Sequence, residues 1–222
     1  MGGVAEKNRA LAPVRVTDGQ RRELAERMRS VHLSRIREMP RIELYLDQLL
    51  TLVSQELEFM EVPGETLVTG SMVNNYVKQG VIPAPHKKRY TRRHVAALLF
   101  VCALKRVFSI AQVTTLAAMI WTSELDLESL YDRSCEALER ALAARFSYAA
   151  GEGDGKASQD DDAQGGDAEK DLAPAPVPVL ELLDRSGDPA APELARVLQA
   201  AIDALAAKVA VEQTLLLGER GM

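Results

Sequence analysis

Cysteine is nearly absent from this chain, and the two that exist, Cys102 and Cys135, stand far apart. A disulfide framework is therefore not expected, and a reducing cytoplasm is the expected setting. Aromatic residues make up only 5% of the sequence and strand formers are sparse, whereas Ala and Leu abound. That balance predicts a mainly helical, all-α protein. No apolar run reaches the roughly 18 residues of a membrane span. The opening MGGVAEKNRALAP lacks the apolar core of a signal peptide. Catalytic signatures are missing as well. There is no glycine-rich phosphate loop, no GxSxG and no HExxH, and only three histidines are present. No enzyme, catalytic residue or cofactor is expected. The absence of a Cys pair or Cys-His cluster disfavours a metal site.

A further absence is local. No Asp or Glu occurs between Thr66 and Ser123, a window that holds Lys78, Lys87, Lys88, Arg89, Arg92, Arg93, Lys105 and Arg106. The net charge of −5 hides this, because GEGDGKASQDDDAQGGDAEKD further along is strongly acidic. A long window without carboxylates carries the electrostatic footprint of a phosphate binder.

Periodicity and breakers divide the chain. Residues 1–16 read as a flexible leader and 17–62 as N-terminal helices. Within the latter, a helix from Thr17 or Asp18 carries QRRELAERMRSVHLSRIRE, with Leu24, Met28, Val31 and Ile36 as a partial stripe up to Pro40. A second helix over RIELYLDQLLTLVSQELEFM ends before Pro63-Gly64. In residues 63–123, Thr69 or Ser71 caps a short helix, SMVNNYVKQ, that Gly80 stops. VIPAPHKKRY carries two prolines and is a loop. Thr91 opens a helix so apolar that it is expected to be buried on most sides, and Ser109 opens another. Residues 124–150 form a longer helix with the stripe Leu127, Tyr131, Cys135, Leu138, Leu142 and Phe146. That stripe fits a dimer element and internal packing equally well. Residues 151–178 read as a disordered acidic linker. Residues 179–222 hold a turn of helix over VLELLDRS and a final helix with Leu194, Val197, Leu198, Ala201, Leu205 and Val209 as its stripe.

The order from Thr69 to Trp121 is a short capped helix, a Gly stop, a Pro-containing basic loop, a Tyr, and two further capped helices. That is the layout of a winged helix-turn-helix, in which a short helix enters the major groove and a basic wing lies on phosphates. NYVKQGVIPAPHKKRYTRRHVAALLFVCALKRVFSIAQVTTL resembles the MerR type, with Gly80-Val81, Pro83, Arg89-Tyr90, Thr91 and Phe108-Ser109-Ile110 in that family's order. The chain departs from MerR in placing some 65 residues before this region. It also has Asn74 and Asn75 where those proteins carry an Arg-Tyr pair, so that pair's contacts do not transfer. A closer resemblance, over about residues 40–120, is to the bacterial domain of unknown function 1836. It is carried by ELYLDQLL, MVNNYVKQGVI, KKRYTRRHVAALL and ALKRVFSI.

The expected function is that of a DNA-binding transcriptional regulator. Ser71, Asn74, Asn75 and Lys78 lie on the candidate recognition helix, and an Asn amide suits the N7 and N6 edge of adenine. Lys87, Lys88 and Arg89 on the wing, with Arg92 and Arg93 at the next helix start, would hold backbone phosphates. Tyr76, Tyr90, Cys102 and Trp121 are expected in the core, and His94 reads as a polar helix-start residue. Double-stranded DNA is the expected partner, with a homodimer giving paired half-sites. The alternative is a helical protein-protein interaction module with no DNA target, its basic face docking an acidic partner. A third option is a regulator whose C-terminal helices bind a small-molecule effector that the sequence does not name.

Overall fold

The computed structural model describes residues 16–149 and 180–220. The expected leader, save Val16, and the expected acidic linker lie outside the described residues. Within them the chain is mostly helical, with seven α-helices and one two-stranded sheet. Its buried side chains form a single cluster.

Helix α1 (Asp18–Arg29) opens on a capping box. Thr17 Oγ1 accepts from the Gln20 amide, and the Gln20 side chain accepts from the Thr17 amide. The helix expected to run on toward Pro40 stops at Arg29, with the Ser30 hydroxyl donating to the Arg27 carbonyl. The next segment is irregular because remote carboxylates take its amides. Leu33 N–H donates to Glu139, Ser34 N–H to Glu56 and Ile36 N–H to Asp132. These charge-assisted bonds replace the intrahelical ladder. They seat Leu33, Ile36 and Met39 in the core without a helix to carry them.

Helix α2 (Leu46–Glu56) and a single 3-10 turn (Glu58–Met60) follow. Helix α3 (Gly70–Lys78) is capped by Thr69, whose Oγ1 accepts from the Met72 amide, and Gly80 ends it at φ +70°. Helix α4 (Arg92–Leu104) is buried on most of its circumference, and α5 (Ile110–Trp121) starts at the Ser109–Gln112 capping box. Helix α6 (Leu127–Ala149) begins three residues later than the sequence suggests. Leu125 pairs with Asp184 in an isolated bridge, and the Asp126 carboxylate accepts from the amides of Glu128 and Ser129 as the cap. The α6 stripe, left open between two roles, packs inside the chain against α1 and α7. Phe146 is among its fully buried side chains, and burying a ring of that size contributes about 2 kcal/mol.

Of the expected turn over VLELLDRS, the described residues 180–186 are not helical. Strands β1 (Leu182–Leu183) and β2 (Pro189–Ala190) pair antiparallel around Gly187 at φ +90°. The Asp184 carboxylate accepts from the Ser186 and Asp188 amides and so favours a turn over a helix. This small sheet is the exception to an all-α reading. Helix α7 (Pro192–Arg220) then starts on proline, whose missing N–H costs nothing at a first helical position. Its expected stripe holds except at Val197, which is exposed. Gln213 of α7 is buried. It accepts from Arg27 of α1 at 2.7 Å and donates to the Glu61 carbonyl at 3.0 Å, joining three parts of the chain.

Candidate nucleic-acid interface

Helix α3 turns Val73 and Tyr76 inward and leaves Ser71, Asn74, Asn75 and Lys78 exposed. Their spacing of three or four residues puts them on one face. Tyr76 is held in an apolar setting that pushes its hydroxyl pKa up to about 12, in keeping with a core residue.

After α3 the chain turns through Val81 and Ile82, whose amides both donate to the Tyr76 carbonyl. It then folds back on itself at His86–Arg89. These two residues form an antiparallel bridge, with the Arg89 amide donating to the His86 carbonyl at 2.8 Å. Lys87 and Lys88 occupy the two central positions with φ of 47° and 61°. Two consecutive left-handed residues make the two-residue turn that most often carries Asn-Gly. Lysine there is strained, because its Cβ crowds the backbone in that region. The sequence promised a basic loop but not this tight tip, because Lys-Lys is no turn signature. Both lysines are exposed and have no ion pair among the described residues.

The base of the hairpin is fixed by its neighbours. Tyr90 and Leu44 exchange both amide-to-carbonyl bonds, at 2.8 and 2.9 Å. Tyr90 is buried, and burial raises its pKa. The Arg89 guanidinium lies 3.8 Å from the centroid of the Tyr45 ring. That cation–π contact orients Arg89 at the hairpin and brings in Tyr45, a residue that periodicity alone did not mark.

His94 is more than a polar helix-start residue. It is buried against Tyr90, edge to face, with ring centroids 5.6 Å apart. Its Nδ1 accepts from the Thr91 amide at 3.0 Å and lies 2.9 Å from the Thr91 hydroxyl, closing the cap of α4. Its Nε2 is buried near the Ala84 backbone and completes no hydrogen bond within normal limits. Burial, with Arg93 nearby, lowers its pKa below 6.5. The folded state thus favours the neutral ring, and protonating Nδ1 would remove the acceptor of the cap. This contribution to stability is fully present above about pH 6.5 and is lost as pH falls from there toward the depressed folded value. Wild-type stability should therefore drop between pH 7 and 5. His94→Gln, which keeps an acceptor for the Thr91 amide, should flatten that part of the profile in urea unfolding.

The eight cations of the carboxylate-free window do not share one role. Lys105 donates to the Leu67 carbonyl at 2.6 Å, and its burial lowers its pKa. Arg106 has a side chain only 6% exposed and is held by Glu65 and Glu212. Both are taken up inside the fold, Lys105 by a carbonyl within the window and Arg106 by carboxylates outside it. Arg92 Nε donates to the Pro40 carbonyl at 3.3 Å, and Arg93 lines a cavity behind the hairpin. Lys78, Lys87, Lys88 and Arg89 remain as the cations of α3 and the hairpin. Cys102 is buried and its thiol pKa is pushed up to about 12 by desolvation. No group of three potential metal ligands comes together among the described residues.

The residues that build this arrangement, from the irregular segment at Ser34 to the first two turns of α6, coincide with one family match. Residues 34–134 match the family model described as Domain of unknown function (DUF1836). Residues 34–134 are similar to that family. Comparison with curated proteins and with solved structures finds no match. The DUF1836 segment contains α2, α3, the hairpin, α4 and α5, and stops within α6. Helices α1 and α7 lie outside it. No described helix is long and apolar enough to cross a membrane.

Proposed function

We propose that α3 and the following hairpin act as a winged helix-turn-helix of MerR type that binds duplex DNA, and that the chain is a transcriptional regulator. The observation that carries this reading is the hairpin tip. Two lysines hold backbone conformations that suit Asn-Gly better, at the end of a projection fixed by the Leu44–Tyr90 pairing. Strain kept at an exposed charged tip fits a functional contact better than a packing role. The exposed Ser71, Asn74, Asn75 and Lys78 of α3 supply the second half. The amides are suited to base edges, and Lys78 to phosphate.

In this reading Lys87 and Lys88 lie on one strand's phosphates while Asn74 or Asn75 addresses adenine. Arg92 is tied to the Pro40 carbonyl, and Arg93 lines the cavity beside α4. A homodimer would present two such units to paired half-sites. Because the α6 stripe is internal, that pairing would use another face. Selection of fragments from genomic DNA by the purified protein tests the reading. Enrichment of one paired site supports it, and recovery of no duplex above background returns the chain to a protein-interaction module.

The strained tip gives a sharper test. Replacing Lys87 with Asn and Lys88 with Gly should raise the unfolding free energy by about 1 kcal/mol. The same change should weaken duplex binding. Stability and affinity moving in opposite directions is the mark of a contact kept for function, and a stability gain with unchanged affinity would remove the tip from the interface.

A further inference from the structure

A cavity of about 470 Å³ lies between α4, α5 and the start of α6. That size falls in the range of small-molecule sites. Its walls are largely apolar, with Phe100, Trp121 and Tyr131 among them, and alanines of α4 and α5 leave the space unfilled. Open volume of this kind lowers stability compared with a packed interior.

The charged groups at the rim decide what it can take. Asp126 is engaged by two amides as the cap of α6, and Glu128 offsets the positive end of the same helix. Arg185 faces Glu124 at 3.4 Å. Helix α4 differs. Its first turn carries no acidic residue, and it adds the Arg93 guanidinium, which has no ion pair among the described residues. Arg93 is thus a rim guanidinium without an ion pair among the described residues, close to the positive end of α4 and beside an apolar hollow, with Asp126 and Glu128 as the rim's carboxylates.

We infer that this cavity binds a small organic anion, its carboxylate on Arg93 and its apolar body against Phe100, Trp121 and Tyr131. The site is joined to the hairpin. Trp121 Nε1–H donates to the Val81 carbonyl at 3.2 Å, and Val81 both lines the cavity and leads from the Gly80 turn of α3 into the hairpin. An occupant pressing on Trp121 and Val81 therefore acts on the joint between α3 and the hairpin. That consequence rests on the DNA-binding reading, whereas binding itself does not.

Trp121 is the chain's one tryptophan, so it reports occupancy directly. Its emission is titrated with decanoate, decanol and decylamine in the absence of DNA. Decanoate should give a saturable change, and decanol should bind about tenfold more weakly for want of the charge-assisted contact. Decylamine should give none. Arg93→Gln should bring decanoate down to the level of decanol. Ala117→Leu, which fills the hollow, should weaken decanoate and decanol alike, with a thermal melt confirming that the variant is folded. No response to decanoate, equal responses to decanoate and decylamine, or undiminished decanoate binding in Arg93→Gln would each overturn the inference. Because no DNA is present, failure here and failure of DNA binding are separate results.

Discussion

Glu139→Gln is expected to lower the unfolding free energy by about 3 kcal/mol, the range seen when one partner of a poorly solvated ion pair is removed. Glu139 sits on α6 and grips the irregular segment after α1. Its oxygens accept from Arg35 Nη1 at 2.8 Å and Nη2 at 2.6 Å, and from the Leu33 amide at 2.8 Å. Arg35 in turn donates to the Leu33 carbonyl. The two side chains are 18% and 19% exposed, so solvent screens the pair only in part. Burial alone would raise the Glu139 pKa, yet the bonds from Arg35 and Leu33 together hold it below 4.5. The hydrogen bond to Glu139 correspondingly raises that of Arg35. The carboxylate's contribution is thus present above pH 4.5 and disappears as pH falls through the depressed folded value.

Gln keeps the shape and one acceptor but leaves Arg35 without its counter-ion. Urea unfolding should show a lower midpoint at unchanged slope. The double variant Arg35→Met with Glu139→Gln should cost less than the sum of the two single changes, since it leaves no uncompensated charge. A loss under about 1 kcal/mol would show that the pair behaves like an exposed surface bridge.

Replacing Lys87, Lys88 and Arg89 together with Ala should weaken binding to a selected duplex on the order of 100-fold at low salt, if each contacts a phosphate. The slope of log affinity against log salt should shrink in magnitude by about 2 to 3, close to one per lost contact. Arg89 also stacks on Tyr45. The Lys87/Lys88 double variant therefore separates charge lost at the tip from a hairpin loosened at its base. Fluorescence anisotropy across a salt series reads both quantities. Unchanged affinity and slope in the triple variant would exclude the hairpin as a wing.

Legibility in the sequence followed the range of the interaction. Thr17, Thr69 and Ser109 each cap a helix through a bond spanning three residues, and each was readable from its neighbours. So were the short helix ended by Gly80 and the core place of Tyr76. Residues 33–36 were not, since the carboxylates that hold the amides of Leu33, Ser34 and Ile36 come from Glu139, Glu56 and Asp132 elsewhere in the chain. Charge counting over-read the basic window for the same reason. Glu65 and Glu212 lie outside it, so Arg106 looked free when it is enclosed. The cavity left no local trace because its walls are drawn from separate helices.

The buried amide of Gln213 has a consequence for how the chain may be divided. Through it α7 reaches both α1 and the backbone beside the 3-10 turn, while Arg106 reaches α7 at Glu212. The family match stops at residue 134, partway along α6. The segment that matches the family model and the set of helices that pack together are therefore different objects. Helices α1 and α7 pack on α6 from outside the matched segment, and excising that segment would cut α6 through its length.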